Sequence, residues 1–361
     1  MDSAAVTPPP IFKTTVTKLD LTIAPKSDAR LAYRYRDGIY ASDLLTAALV
    51  WLDFFTWLST RPSTLEQICQ ELALQPRPAD VMVTLFCAMG FLQREGDVIL
   101  VTDVAREHLV KGSPWFLGPY YGSLKDRPVT KDYLEVLRTG RTANWGSLRH
   151  EKEWAKAMET EAFATQFTAA MDCRGAFLGQ AVAASLDLKD SHNLLDVAGG
   201  SGIYACAVVA RHTHLRASVM ERPPVDQIAR THIASRGYAE QVSVVTKDMF
   251  EGNWPQGYDI HLISNVLHDW DFPKVREILR HSFESLSPGG LLVLHDAHIN
   301  REKTGPLPEA SYSAMLMHST EGKCYSIGEM ESLLTEAGFH DFHFTPTVVD
   351  RSVLTARKPK G

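Results

Sequence analysis

The chain has 361 residues, 45% of them apolar and 22% charged, with a formal net charge of −6. This is the balance of a folded protein long enough for two domains, and it provides no basic face for a nucleic-acid partner. Five cysteines (Cys69, Cys87, Cys173, Cys206 and Cys324) stand apart without CxxC spacing. They fit reduced thiols in a cytoplasmic protein and argue against a disulfide framework or a cysteine zinc site.

In chain order, residues 1–30 read as a proline-spotted arm without the charged-then-apolar order of a signal peptide. The longest apolar run, Leu44 to Leu58, is broken by Thr46, Asp53 and Thr56 and is too short to span a bilayer. It reads as a buried or dimer-interface helix, and no membrane partner is expected. Ser63-Thr64-Leu65-Glu66 predicts a capping box for a helix beginning at Leu65. A second helix follows Pro78 to about Ala88, and Phe91 to Val101 reads as a hairpin turning at Gly96-Asp97. Two helices and a hairpin within residues 31–112 suggest a winged helix. From Thr60 to Ala105, however, Arg61, Arg77 and Arg94 are outnumbered by Glu66, Glu71, Asp80, Glu95, Asp97 and Asp103, so a DNA-binding regulator is the weakest reading. Residues 113–190 read as a helical linker rich in aromatic side chains and methionine.

Over residues 191–361, short apolar strands alternate with helices, the signature of an α/β, Rossmann-like, doubly wound sheet. The expected strands are Asn193–Val197, Arg216–Met220, Val242–Thr246, Asp259–Ser264, Gly290–Asp296 and Ser352–Lys358. Such sheets bind ligands at the carboxyl ends of their strands. Asp196 closes the first strand, and Ala198-Gly199-Gly200-Ser201-Gly202 turns into a helix over Ile203 to Ala210. Glycines there let the main chain approach a nucleotide closely, but the order is not the GxGxxG of dinucleotide sites. A different adenosine cofactor is favoured. Glu221 ends the second strand, where a carboxylate accepts from both ribose hydroxyls. Asp248 ends the third, placed for an adenine amino group, with Met249 and Phe250 flanking the ring.

These residues resemble the class I S-adenosylmethionine-dependent methyltransferases. With the N-terminal helices included, the chain from about Gly38 is similar to the acetylserotonin and plant-type O-methyltransferase family. The likeness rests on Asp196 to Gly202, Glu221, Asp248-Met249-Phe250, His268-Asp269-Trp270, Ser287-Pro288-Gly289-Gly290 and Glu321-Gly322-Lys323. It implies S-adenosylmethionine as co-substrate, a small-molecule acceptor, and a homodimer whose N-terminal helices form the interface and the back of the acceptor pocket. Ala198 stands where the family has its first glycine, Glu221 where it has aspartate, and Ser264 where plant members carry a lysine on the cofactor.

For the acceptor, the resemblance assigns His268 as general base and Asp296 as the carboxylate that orients it and favours its charged form. His295 and His298 read as bystanders. Cys324 replaces a second glutamate of the plant enzymes. The resemblance aligns the helix Phe163–Arg174 with the family's substrate-contacting helix and so implies that Phe167, Met171 and Arg174 turn toward the pocket, where a guanidinium suits a carboxylate; the alternatives for Arg174 are surface exposure or pairing with Asp172 or a nearby glutamate. His318, on the segment Tyr312–Ser319, would complete with His268 and Asp269 a two-histidine, one-carboxylate face for a divalent metal such as iron. A small branch of the family with that arrangement methylates carbon beside the ketone of 2-oxo acids. Arg174, Cys324 and His318 lean the reading narrowly toward that reaction on a carboxylate-bearing acceptor. The alternative is O-methylation of a phenol, enol or other hydroxyl of a secondary metabolite with His268 as base. A non-methylating member of the fold is less favoured.

Overall fold

The strand pattern of the second half of the chain builds a single seven-stranded sheet in the computed structural model, which describes residues 19–143, 156 and 158–361. The beginning of the arm and residues 144–155 and 157 of the linker lie outside the described residues. The N-terminal strands are β1 (Ser63–Thr64), β2 (Leu92–Glu95) and β3 (Val98–Val101). The large sheet contains β4 (Asn193–Val197), β5 (Arg216–Glu221), β6 (Val242–Thr246), β7 (Ile260–Ser264), β8 (Leu291–Asp296), β9 (His340–Pro346) and β10 (Ser352–Arg357). Its order is β6-β5-β4-β7-β8-β10-β9, with β4 to β8 parallel and β10 antiparallel to both neighbours. The expected strands are present to within a residue at each end. β9 was not anticipated: it is an edge strand, mostly exposed, whose apolar alternation is limited to Phe342 and Phe344.

Period-two alternation divides the sheet between two cores. Leu194, Val219, Leu262 and Val293 face the helices Glu161–Ser185, Ile203–Arg211 and Val225–Arg236. Leu195, Val197, Ile263, Leu292 and Leu294 face Phe272–Ser285 and Ile327–Ala337. Leu21, beyond the start of the described arm, packs into the first of these cores.

The N-terminal half corrects three details. The run from Leu44 to Leu58 is not one helix: Ala41–Thr46 continues as a π-helical turn, Ala47–Trp51, and breaks at Asp53, whose φ is 51°, before Phe54–Thr60. Leu44, Leu49, Phe54, Phe55 and Leu58 are buried within their own chain, so the run is core. The capping box is built by Thr64 and Gln67, one residue later than expected, because Gln67 is the side chain that reaches back to the Thr64 amide. The second helix begins at Pro76, where proline suits the first helical turn. The β2–β3 hairpin forms as expected, and β1 pairs with β3 beside it.

One element crosses the division drawn from sequence. The helix Leu307–Ser319 buries Ala310, Tyr312, Ala314, Leu316 and Met317 in the N-terminal core, with Phe54, Met82 and Tyr133. The two halves of the chain therefore share a core where the acceptor pocket would lie.

Candidate active site

A cavity of about 610 Å³ opens at the carboxyl ends of β4, β5 and β7. It is bounded by the glycine turn, the helix Glu161–Ser185 and the helix Leu307–Ser319.

On the nucleotide side, Asp196, Ala198, Gly199, Gly200, Glu221, Asp248, Met249 and Ser264 all line the cavity. Ala198 takes a left-handed φ of 51°, which explains the glycine usual at that place and costs an alanine about 1 kcal/mol. Gly199 has no room for a Cβ, which would overlap the Asp196 carboxylate. Asp196 is fully buried; its Oδ2 accepts from the Ala205 amide at 3.2 Å, while Oδ1 has no hydrogen-bond partner among the described residues. Burial pushes its carboxyl up to about 7. Glu221 accepts from the Gly200 amide at 2.9 Å and the Arg222 amide at 3.1 Å, which ties the second strand end to the turn. Its burial outweighs those donors and raises it to about 7 as well. Asp248 caps its own turn through the Phe250 amide at 2.9 Å. A buried acceptor without a partner and a turn that excludes even a methyl group suit an adenosyl ligand rich in hydroxyl and amino donors.

Gly202 is the exception among the expected cofactor residues, since it does not line the cavity. A Cβ there would press on Ile233 and Val219, and its φ is 77°, so the glycine serves helix-to-sheet packing. The turn is also held from behind: Ser201 donates to Asp172, which pairs with Arg236, and Gly175 lets the long helix press against Ile203.

On the acceptor side, His268 sits in a one-turn 3-10 segment, Leu267–Asp269, after β7. Its Nδ1 lies 2.6 Å from Asp296 Oδ1, and its Nε2 lies 3.7 Å from Asp269 Oδ1. Burial pushes the Asp296 carboxyl up, but the His268 ring overrides it and holds the group at about 2, so Asp296 is an anion throughout the physiological range. Burial lifts Asp269 to about 6 against the pull of His268. Phe167, Met171, Met315 and Leu316 supply apolar wall. His295 and His298 turn away, to Ser264 and Ser352 respectively, each at 2.8 Å; burial holds His295 down at about 3.

Arg174 is neither exposed nor paired with Asp172. It lines the cavity, donates from Nη1 to the Tyr312 hydroxyl at 3.1 Å, and leaves a buried Nε without a hydrogen-bond partner among the described residues. Tyr204 and Asn265, which sequence reading missed, stand beside it. Asn265 has a left-handed φ of 54°, donates to the Tyr204 hydroxyl at 3.0 Å and leaves its buried Oδ1 without a partner among the described residues. An asparagine directly after a strand was the available signal, because that residue tolerates the left-handed region.

His318 corrects the metal expectation. Its Nε2 turns to Asp132 Oδ2 at 3.2 Å, its ring packs between Tyr40 and Tyr133, and it does not line the cavity. Among the described residues no group of three or more His, Cys, Asp or Glu side chains could hold a metal ion. The proposed donors do not converge, so no step is drawn through a metal. Cys324 likewise lies buried outside the cavity lining.

This sheet order, with a glycine turn and three strand-end carboxylates at one cavity, defines a class I S-adenosylmethionine-dependent methyltransferase. The profile of the O-methyltransferase domain family matches residues 135–340, and the chain belongs to that family. It is similar to the tetracenomycin polyketide synthesis 8-O-methyl transferase TcmO of Streptomyces glaucescens, 28% identical over 90% of this chain and 95% of the relative. It is also similar to 3-hydroxy-5-methyl-1-naphthoate 3-O-methyltransferase of Streptomyces sahachiroi, 27% identical over 83% and 86%. Among solved structures, an O-methyltransferase family 2 protein from Planctomyces limnophilus in complex with apigenin superposes with a TM-score of 0.85 at 29% identity, covering 94% of this chain and 98% of that one. The chain is thus an enzyme that transfers methyl groups from S-adenosylmethionine. Among the described residues no single helix is long and apolar enough to cross a membrane.

Proposed function

We propose that the enzyme methylates a hydroxyl on a small aromatic secondary metabolite, with His268 as the general base. The observation that carries this reading is the His268–Asp296 pair at 2.6 Å, opening onto the same cavity as the glycine turn. Bound S-adenosylmethionine supplies an electrophilic methyl on a sulfonium. His268 takes the hydroxyl proton on Nε2 while Asp296 fixes the ring through Nδ1. Asp269 faces the proton once it has moved. Phe167, Met171, Met315 and Leu316 clasp a flat ring and keep water from the oxygen. Asp196, Ala198, Gly199, Gly200, Glu221, Asp248, Met249 and Ser264 hold the nucleoside. The similar proteins named for 8-O- and 3-O-methylation of polyketide and naphthoate rings support oxygen as the target.

The narrow lean toward 2-oxo acid C-methylation loses its metal support. His318 is turned to Asp132, whereas Arg174 lines the cavity with Tyr204 and Asn265 and donates to Tyr312, whose ring packs on His268. A cation there suits the carboxylate of the cofactor's own methionine. Leu31, Tyr35, Ile39, Trp115 and Tyr120 are exposed apolar side chains of the N-terminal half, which supports the homodimer implied by the family.

The test is product analysis after incubation with S-adenosylmethionine and a panel of hydroxylated aromatics and 2-oxo acids. A methyl ether on an aromatic ring is expected. A carbon-bound methyl on a 2-oxo acid, with no ether formed, overturns the reading. In parallel, Arg174→Met should weaken S-adenosylhomocysteine binding about 10- to 100-fold, the value of a charge-assisted hydrogen bond. Unchanged binding, with turnover lost only for acidic acceptors, would return the arginine to the acceptor.

A further inference from the structure

The turn that carries His268 is held by a strap whose first two residues, Thr320 and Glu321, line the cavity and whose remainder lies behind it. The strap, Thr320 to Tyr325, follows the helix Leu307–Ser319 and lies against the main chain of residues 268–270. Gly322 touches so closely that a Cβ there would overlap the His268 carbonyl and the Trp270 amide. The Thr320 hydroxyl, which donates to the Leu316 carbonyl at 3.0 Å, lies 3.4 Å from the His268 carbonyl, and the Tyr325 hydroxyl donates to the Trp270 carbonyl at 2.6 Å.

The N-terminal helix Pro76–Ala88 fastens this strap at two points. Arg77, itself buried, donates from Nη1 to the Gly322 carbonyl at 2.8 Å and from Nη2 to the Gly140 carbonyl at 2.7 Å. Both of these partners are main-chain carbonyls, an unusual use of a buried guanidinium. Asp80, one turn on, accepts from Lys323 Nζ at 2.6 Å and Lys303 Nζ at 3.1 Å; both lysines also reach Glu329. Two cations and two anions balance in this buried group. Burial alone would lower the Lys323 ammonium, but the two carboxylates raise it, so the lysine is held charged.

We infer that Arg77 and Lys323 are positioning residues that set His268 from the N-terminal half through the Gly322 strap. The inference rests on His268 as base. Asp296 fixes one end of that ring, but the ring's main chain is fixed by Gly322, and Gly322 is fixed by Arg77 and Lys323. The shared core makes this coupling mechanical: a shift of the helix Pro76–Ala88 moves the base without moving the strand ends that hold the nucleoside.

The experiment compares Arg77→Met, Arg77→Lys, Gly322→Ala and His268→Ala in the full-length enzyme. It uses S-adenosylhomocysteine calorimetry and steady-state kinetics with one methylated aromatic acceptor. Arg77→Met and Gly322→Ala should lower kcat roughly tenfold to a hundredfold, the scale of an ångström-level misplacement, with acceptor KM and S-adenosylhomocysteine Kd within about twofold of wild type. Arg77→Lys keeps the charge but lacks the fork, and should fall with Arg77→Met. Wild-type kcat in Arg77→Met while His268→Ala is inactive overturns the strap alone. An active His268→Ala overturns the base reading whatever Arg77 does. Loss of S-adenosylhomocysteine binding in step with kcat in the Arg77 and Gly322 variants also overturns the strap, since it makes them general fold supports.

Discussion

The two sides of the cavity are built in different ways. The nucleotide side is made by the ends of three neighbouring parallel strands and the turn between the first strand and its helix, so its donors and acceptors are partly main chain. The acceptor side is made by side chains from the helix Glu161–Ser185, the turn Leu267–Asp269 and the helix Leu307–Ser319, which meet only in the folded chain. A local, backbone-defined site is specific for one cofactor, whereas an assembly of distant side chains can change acceptor by substitution. If the two sides are independent, damage to one should leave the other intact.

The largest separation is expected at His268. His268→Ala should lower kcat by about 10²- to 10⁴-fold, the usual contribution of a positioned base, while the Kd of S-adenosylhomocysteine stays within about twofold. Asp296→Asn should reproduce most of the loss, because the amide no longer offers an anion to Nδ1. Calorimetry beside stopped-time turnover decides the matter, and parallel loss of cofactor binding would show the two sides to be one unit.

An intermediate effect comes from pH on the nucleotide side. Asp196 and Glu221 are both lifted to about 7 by burial in the cofactor-free enzyme. Hydroxyl and amino donors of the cofactor favour their ionised forms, so binding releases protons. Affinity should therefore be weakest below about pH 6, strengthen as pH rises toward 7 by up to about tenfold per pH unit for each proton released, and level off above it. The stability of the cofactor-free fold runs the other way. Carboxyls whose folded pKa is raised bind more protons than in the unfolded chain, so their contribution is greatest near about pH 4 and is lost as pH rises to about 7. Titrations in buffers of different ionisation enthalpy would report the protons, and a Kd flat across this window would contradict the assignment of these carboxylates to the cofactor.

This contrast also explains what could be read from the sequence. β4 to β8 and β10, Asp196, Glu221 and Asp248 were legible because a parallel buried strand, its terminal acid and the following turn are contiguous, and short-range rules govern them. Gly202 was misplaced because a glycine tolerating a positive φ for packing looks identical to one making room for a ligand. Arg174 was located on the right helix face, but its partner Tyr312 lies 138 positions away, so its environment could not be derived from spacing. β9 escaped because its alternation is limited to Phe342 and Phe344, too short a pattern among polar residues to mark an exposed edge strand. Arg77 left no local signal, and Glu321-Gly322-Lys323 was legible only as a motif of the family likeness, since the role of both depends on the packing of the helix Pro76–Ala88 against Leu307–Ser319.

The smallest effect is expected at His318, and it bears on whether the acceptor side uses a metal. His318 is buried, with Asp132 on Nε2 and Tyr40 and Tyr133 against its ring, and burial lowers its tendency to take a proton. Reaching His268 would require the helix Leu307–Ser319 to turn that side chain out of the N-terminal core. The cost would be the Asp132 hydrogen bond and both ring contacts, about 1–3 kcal/mol together. His318→Gln should therefore lower the midpoint of thermal unfolding by a few degrees, on the order of 1 kcal/mol of stability, and change kcat by no more than about twofold. Treatment with a strong chelator should leave turnover at the same level. A large loss of turnover in His318→Gln, or inactivation by chelator reversed by adding iron, would place a metal at the acceptor after all. It would also require a conformation in which this helix is rotated, which hydrogen exchange at the amides of Met315 to Ser319 would detect as weak protection.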